Sequence, residues 1–115
     1  MELESRKYLY DRSQAARLLV QFSEGRTFQE YIEDPMLRSA VERQFEILGE
    51  ALSQLNRRDP ATAKRIPEHR RIISFRNVLI HGYAAVDDRI VWGVLQQELP
   101  SLRGQIDELL DEPHD

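Results

Sequence analysis

The stretch DPMLRSAVERQFEILGEALSQL, Asp34 to Leu55, decides the fold. Leu37, Val41, Phe45, Leu48, Leu52 and Leu55 step along it by three and four, the spacing that gathers side chains on one face of an α-helix over about five turns. Asp34 before Pro35 reads as an N-cap followed by proline at the first helical position, where a missing N–H is no loss. A stripe this long has to be covered, so the rest of the chain must supply helices to pack on it.

Upstream, residues from about Leu3 to Phe22 place Tyr8, Ala15, Leu18, Leu19 and Phe22 roughly on one helix face, and Gly25 is a natural stop. The tetrapeptide TFQE has capping-box form, with Thr27 as N-cap and Glu30 reaching back, and opens a short turn of helix. Downstream, NRRDPATAKRIPEH carries two prolines and predicts a connection with a short helical turn after Asp59-Pro60. A helix is expected from about Glu68 to His81, ending near Gly82, followed by the loop GYAAVDD. Asp88 is the expected N-cap of a last segment in which Ile90, Val91, Val94, Leu95, Leu102, Ile106, Leu109 and Leu110 keep helical spacing. Pro100 should kink or divide that segment, and DEPHD is a polar tail. No strand alternation is convincing. Four main helices with short connections predict an all-α, antiparallel up-and-down bundle, a single domain spanning 1–115.

At 115 residues the chain can bury one modest core, which a second copy or an obligate partner would enlarge. A hydrophobic fraction of 41% and a charged fraction of 31% argue against wholesale disorder. Cysteine is absent, which excludes disulfides and thiolate metal sites. The start MELESRKYLYDR has charges where a signal peptide needs its apolar region, and no apolar run approaches the ~20 residues of a spanning helix. A soluble cytoplasmic protein is expected. The net charge of -4 argues against indiscriminate coating of nucleic acid, yet residues 57–76 hold seven basic side chains against Asp59 and Glu68. Fourteen of the sixteen basic residues are arginine, the side chain suited to bidentate pairing with phosphate. A solvated basic face explains that cluster at least as well.

A second stretch, SFRNVLIHGYAAVDD from Ser74 to Asp88, places an arginine, an asparagine, a histidine and a tyrosine within eight residues. At 100° per residue, Ile72, Ile73, Phe75, Leu79 and Ile80 cover an arc of about 160°. Arg70, Ser74, Asn77 and His81 form a polar stripe on the other side, while Arg76 falls inside the apolar arc. A guanidinium cannot lie unpaired in a dry core, so Arg76 has to snorkel out, find an acid, or face a cleft or subunit interface.

Each of these residues also has a purely structural use. His81 can complement the negative end of a helix dipole, Arg76 can be a buried ion-pair partner, and Tyr83 can lie over the core as an amphipathic lid. Chemically, a histidine moves protons near neutral pH, and an arginine stabilises a pentacovalent phosphate. RNA brings its own nucleophile, the 2'-hydroxyl, so no metal is needed. No carboxylate cluster or paired-histidine spacing suggests a metal site, since His69, His81 and His114 are far apart in sequence, and no glycine-rich phosphate loop is present. No cofactor is expected.

The octapeptide RNVLIHGY resembles the signature of HepT-like proteins in the HEPN superfamily: arginine, four residues, histidine, any residue, tyrosine. FQEYIEDPMLRSAVERQFEILGEALSQL resembles that family's second helical block, with Gly49, Glu50 and Ala51 as its Gly-Glu-Ala, and VWGVLQQELPSLRGQIDELL resembles its closing helix. The resemblance implies a helical homodimer acting as the toxin of a type VII-like toxin–antitoxin pair and cutting RNA without metal. Arg76 and His81 would be the catalytic pair, with Asn77 the polar residue after the arginine. If RNA is the substrate, Arg70, Arg71 and Ser74 are the expected RNA contacts beside them. It also implies a small nucleotidyltransferase antitoxin of the MNT type that attaches AMP to the motif tyrosine, here Tyr83.

The chain departs from the family where a proline-tryptophan pair commonly precedes the motif helix; Glu68-His69 stands here. Glu50 falls opposite the main apolar stripe of its helix, where it serves either an interface or a hydrogen bond near the cleft. Two other functional readings stay open: a non-catalytic subunit that binds RNA or docks the nucleotidyltransferase, and a purely structural helical dimer.

Overall fold

A computed structural model describes residues 3–66, 69–81, 87–97 and 99–111, excluding the side chains of residues 69, 78, 81, 101–103, 105, 106 and 109. The described residues are all-helical, with no strand among them: α1 (Leu3–Ser23), α2 (Phe28–Glu33), α3 (Pro35–Arg58), α4 (Pro60–Ala63), α5 (His69–His81), α6 (Asp88–Gln97) and α7 (Leu99–Leu110).

The decisive stretch behaves as its spacing dictates. All six apolar residues of the α3 stripe are buried, each contributing about 1.5–3 kcal/mol of gross burial energy. Asp34 Oδ1 accepts the Leu37 N–H at 3.1 Å, and Pro35 occupies the first turn. Around α3 pack α1 and α5, and α7 lies against α1. Phe45 of α3 meets Phe75 of α5 edge to face at 5.1 Å.

Short-range signals place the other boundaries. Gly25 adopts φ 72°, a left-handed conformation that glycine enters without a Cβ clash, and it closes α1. At α2 the capping box is complete: Glu30 N–H donates to Thr27 Oγ1 and Thr27 N–H donates to Glu30 Oε1, both at 3.1 Å. Tyr31 and Phe28 then lay α2 against Trp92 of α6, with ring centroids 5.2 and 6.4 Å apart. Asp59 joins α3 to α4 and binds a distant element. Its carboxylate accepts the Thr62 N–H at 3.1 Å, the Thr62 hydroxyl at 2.6 Å and the Ser5 hydroxyl of α1 at 3.0 Å. These bonds, led by the Thr62 hydroxyl, hold the Asp59 carboxyl below its ordinary value. Glu4 and Arg58 pair beside it, so the start of α1 meets the end of α3. The end of α7 is fastened to α1 in turn: Arg6 NH2 donates to the Leu110 carbonyl at 2.7 Å, and the Ser13 hydroxyl donates to Asp107 Oδ1 at 3.2 Å.

Two expectations are corrected. The cap of α6 is Asp87, whose carbonyl accepts from Ile90 and Val91 and whose Oδ1 accepts the Arg89 N–H at 2.9 Å; Asp88 is the first helical residue. On α1 the buried face is turned roughly 80° from the one its large apolar residues suggest. Ser5, Leu9, Arg12, Ser13, Ala15, Ala16 and Leu19 are buried, while Tyr8, Leu18 and Phe22 are half-buried. The reason is that α1 touches α3 on one side and α7 on another, so Leu9 and Leu19 are buried together with small and polar residues, while Tyr8, Leu18 and Phe22 lie at the margin of the contact. Pro100 falls in the first turn of α7, and the last segment divides just ahead of it, as proline requires. No helix among the described residues is long and apolar enough to cross a membrane.

Candidate active site

At Arg76, α5 packs tightly on α3, and Gly49 is the reason. A Cβ built on Gly49 would fall on the Arg76 Cβ, lie 2.8 Å from its Cγ and 3.3 Å from the Ile72 carbonyl. Glycine in mid-helix sacrifices about 1 kcal/mol of helix propensity. Here it lets the arginine stem cross the backbone of α3. The guanidinium then meets the next residue along, with Arg76 NH2 2.5 Å from Glu50 Oε2. Its NH1 donates to Asn77 Oδ1 at 3.0 Å, while its Nε is buried with no hydrogen-bond partner among the described residues.

Glu50 is held from its other side. Gln54 Nε2 donates to Glu50 Oε1 at 3.0 Å, and Arg57 NH2 lies 3.8 Å from the same oxygen. The four charged or amide groups Arg76, Glu50, Gln54 and Arg57 thus form a chain across α5 and α3. Arg76, Glu50 and Gln54 stand at the wall of a groove of about 630 Å³ between α1, α3 and α5, lined also by Tyr8, Leu18, Ile47 and Ile80. Ile80, placed in the apolar arc by its spacing, is 38% exposed at this groove. The Arg76 side chain is 25% exposed, so the apolar arc is part core and part groove wall.

On the outer side of α5, Arg70, Ser74 and Asn77 are exposed in a row, and Arg71 is exposed as well. Asn77 and Arg76, 100° apart by projection, nonetheless touch, because the long arginine stem bends back to the amide. His81 is the last residue of α5, one turn beyond Asn77; its side chain lies outside the described residues, as do the side chain of His69, Glu68 and Tyr83. Among the described residues no group of three or more His, Asp or Glu is placed to hold a metal ion.

Sequence reasoning flagged Arg76 and Asn77 but left Glu50 undecided and gave Gly49 no job. A glycine inside an otherwise strong helix is the signal that carried the information, since it marks a close approach of another backbone or stem.

The geometry defines a class: an all-helical protein with a charged groove built around an arginine. A family model described as "Ribonuclease HepT-like" matches residues 13–109, and the chain belongs to that family of ribonucleases. It is 33% identical over 112 residues to a protein of Thermococcus cleftensis named "Probable ribonuclease HepT", covering 95% of this chain and 98% of that one. A protein of Caldanaerobacter subterraneus subsp. tengcongensis named "Putative RNase" is 33% identical over 105 residues, 91% of this chain and 93% of its own. A Methanocaldococcus jannaschii protein, also named "Putative RNase", is 28% identical over 100 residues, 87% and 91% of the two chains. No solved structure matches the chain.

Proposed function

We propose that this chain is a metal-independent endoribonuclease, the toxin of a toxin–antitoxin pair, working as a homodimer. The observation that carries the reading is Arg76, held at the wall of an open groove by Glu50 and Asn77, on the same helix as His81 and five residues before it. In this reading the RNA 2'-hydroxyl attacks the adjacent phosphorus as a base takes its proton. A bond forms between O2' and phosphorus, the bond from phosphorus to O5' breaks, and an acid protonates the departing O5'. The products are a 2',3'-cyclic phosphate and a 5'-hydroxyl end. Arg76 neutralises the charge that builds on the phosphate oxygens, Asn77 steadies it, and His81 moves the protons. One histidine cannot be base and acid in the same step. Two copies meeting at the groove would supply both, and the exposed apolar Ile80 at its edge suits such a contact.

Arg70, Arg71 and Ser74 extend the same helix outward as an RNA track. The partner is a nucleotidyltransferase of the MNT type that attaches AMP to Tyr83, silencing the site by setting a bulky phosphate ester beside it.

The full-length protein should cleave single-stranded RNA in the presence of EDTA and leave 2',3'-cyclic ends, with His81→Ala slower by about 10²- to 10⁴-fold. Equal activity in wild type and His81→Ala, or none in either, overturns the nuclease and leaves the docking subunit. Incubation with ATP and the nucleotidyltransferase should add one AMP to the wild type and none to Tyr83→Phe; an unmodified wild type removes that part of the reading. Melting that rises with protein concentration marks the dimer.

A further inference from the structure

The Glu50 carboxylate is the most tightly placed anion in the groove, and neither catalysis by a base nor packing explains it. It lies opposite the apolar stripe of α3, half exposed, yet each of its oxygens has work: Oε2 takes Arg76, and Oε1 takes Gln54 with Arg57 beyond. An arginine stem has many rotamers, and a guanidinium that must meet a phosphate in one orientation gains from being held there beforehand. Two anchors do that here, Glu50 on NH2 and Asn77 on NH1. Each terminal nitrogen carries two hydrogens, so one N–H on each remains for phosphate oxygens in a fork. Arg57 stands on the far side of the carboxylate, so Arg57, Glu50 and Arg76 together keep one net positive charge, while Asp11 and Glu46 line the same groove with Arg43.

We propose that Glu50 is the positioning residue of this site: brought onto Arg76 by the missing Cβ of Gly49, its carboxylate fixes where the guanidinium meets the scissile phosphate. The inference rests on the ribonuclease reading above. It differs from an inhibitory pairing, in which Glu50 would compete with the phosphate for Arg76.

The test uses full-length Glu50→Gln on a single-stranded RNA oligonucleotide, well below the melting temperature of both proteins. Replacing the carboxylate by an amide of the same shape should lower kcat by about 10- to 100-fold. KM should stay level or fall, since a negative charge near the RNA has gone. An unchanged kcat overturns the proposal, and a raised kcat replaces it with inhibition. If the wild type itself cuts no RNA, the ribonuclease reading falls separately, and the guanidinium of Arg76 decides positioning by nuclear magnetic resonance. Resolved, slowly rotating N–H signals in the wild type that average in Glu50→Gln support it; the same Arg76 signals in both proteins overturn it. Arg76→Lys identifies the signals.

Discussion

Arg12 on α1 and Arg76 on α5 both sit among apolar neighbours on helices that pack against α3, and they end in opposite circumstances. Arg76 stands at a groove, reaches a carboxylate and an amide, and keeps a quarter of its side chain in solvent. Arg12 is 0% exposed, and its Nε, NH1 and NH2 have no hydrogen-bond partner among the described residues. The other buried polar residues of α1 are committed elsewhere, Ser13 to Asp107 and Ser5 to Asp59. Burial pulls the Arg12 guanidinium down to about 9, against the opposing charge of Asp11. It therefore remains charged at neutral pH. One arginine is partnered because a glycine opens a path to an acid; the other carries a desolvation penalty that only the nearby charge of Asp11 offsets among the described residues.

The largest effect should come from the partnered arginine. Arg76→Ala removes the cation proposed to stabilise the transition state, and RNA cleavage should fall by about 10²- to 10³-fold, with a melting temperature close to that of the wild type. A full-rate variant breaks the contrast between the two arginines outright.

Arg12→Met keeps the apolar stem and discards the charge, so stability in urea should rise by about 1 to 4 kcal/mol at pH 7 with cleavage unchanged. The sign with pH follows from linkage. The folded state holds the Arg12 proton less tightly than the unfolded chain, so the penalty is full below about 9 and shrinks as pH climbs from there towards the ordinary arginine range. The advantage of Arg12→Met over the wild type should accordingly narrow above pH 9. A loss of stability in this variant would place an acid from outside the described residues on the guanidinium.

Gly49→Ala should lower stability by about 1–3 kcal/mol, because a Cβ there has the arginine stem in its way. It should also slow cleavage by displacing Arg76, whereas Ala51→Gly, two residues along the same helix, should leave the rate intact. The smallest effect is expected at Asp59, which caps α4 away from the groove: Asp59→Ala should cost about 1 kcal/mol in thermal melts at pH 7. Its carboxyl is held low in the folded protein, so its contribution is present above the ordinary carboxylate range and is lost as the pH falls through it. The two proteins should converge in acid.

Much of the helical layout is readable from local rules. The α3 stripe, the Thr27–Glu30 box, the Asp34-Pro35 and Asp59-Pro60 starts and the Gly25 stop each depend on residues within one or two turns, and each appears where its spacing puts it. The cap of α6 moved by one residue because Asp87 and Asp88 offer the same chemistry in tandem, and backbone geometry chooses between them. The face of α1 was less legible. Leu9 and Leu19 are buried at its centre, but Tyr8 and Leu18 mark the margin, where α1 turns from the core to the groove. The angular position of Arg76 announced a cleft or an acid, and both are present. That the acid would be Glu50 was left open between an interface and a bond near the cleft, since projection puts it on the far side of α3 from the stripe.

By itself, then, the sequence determined the helices, their order and most of their ends, because capping and 3.6-residue periodicity act between neighbours along the chain. Tertiary structure decided which arginine is partnered and which is stranded. That outcome depends on how closely α5 approaches α3 at a residue with no side chain, a distance set by packing between segments more than twenty residues apart.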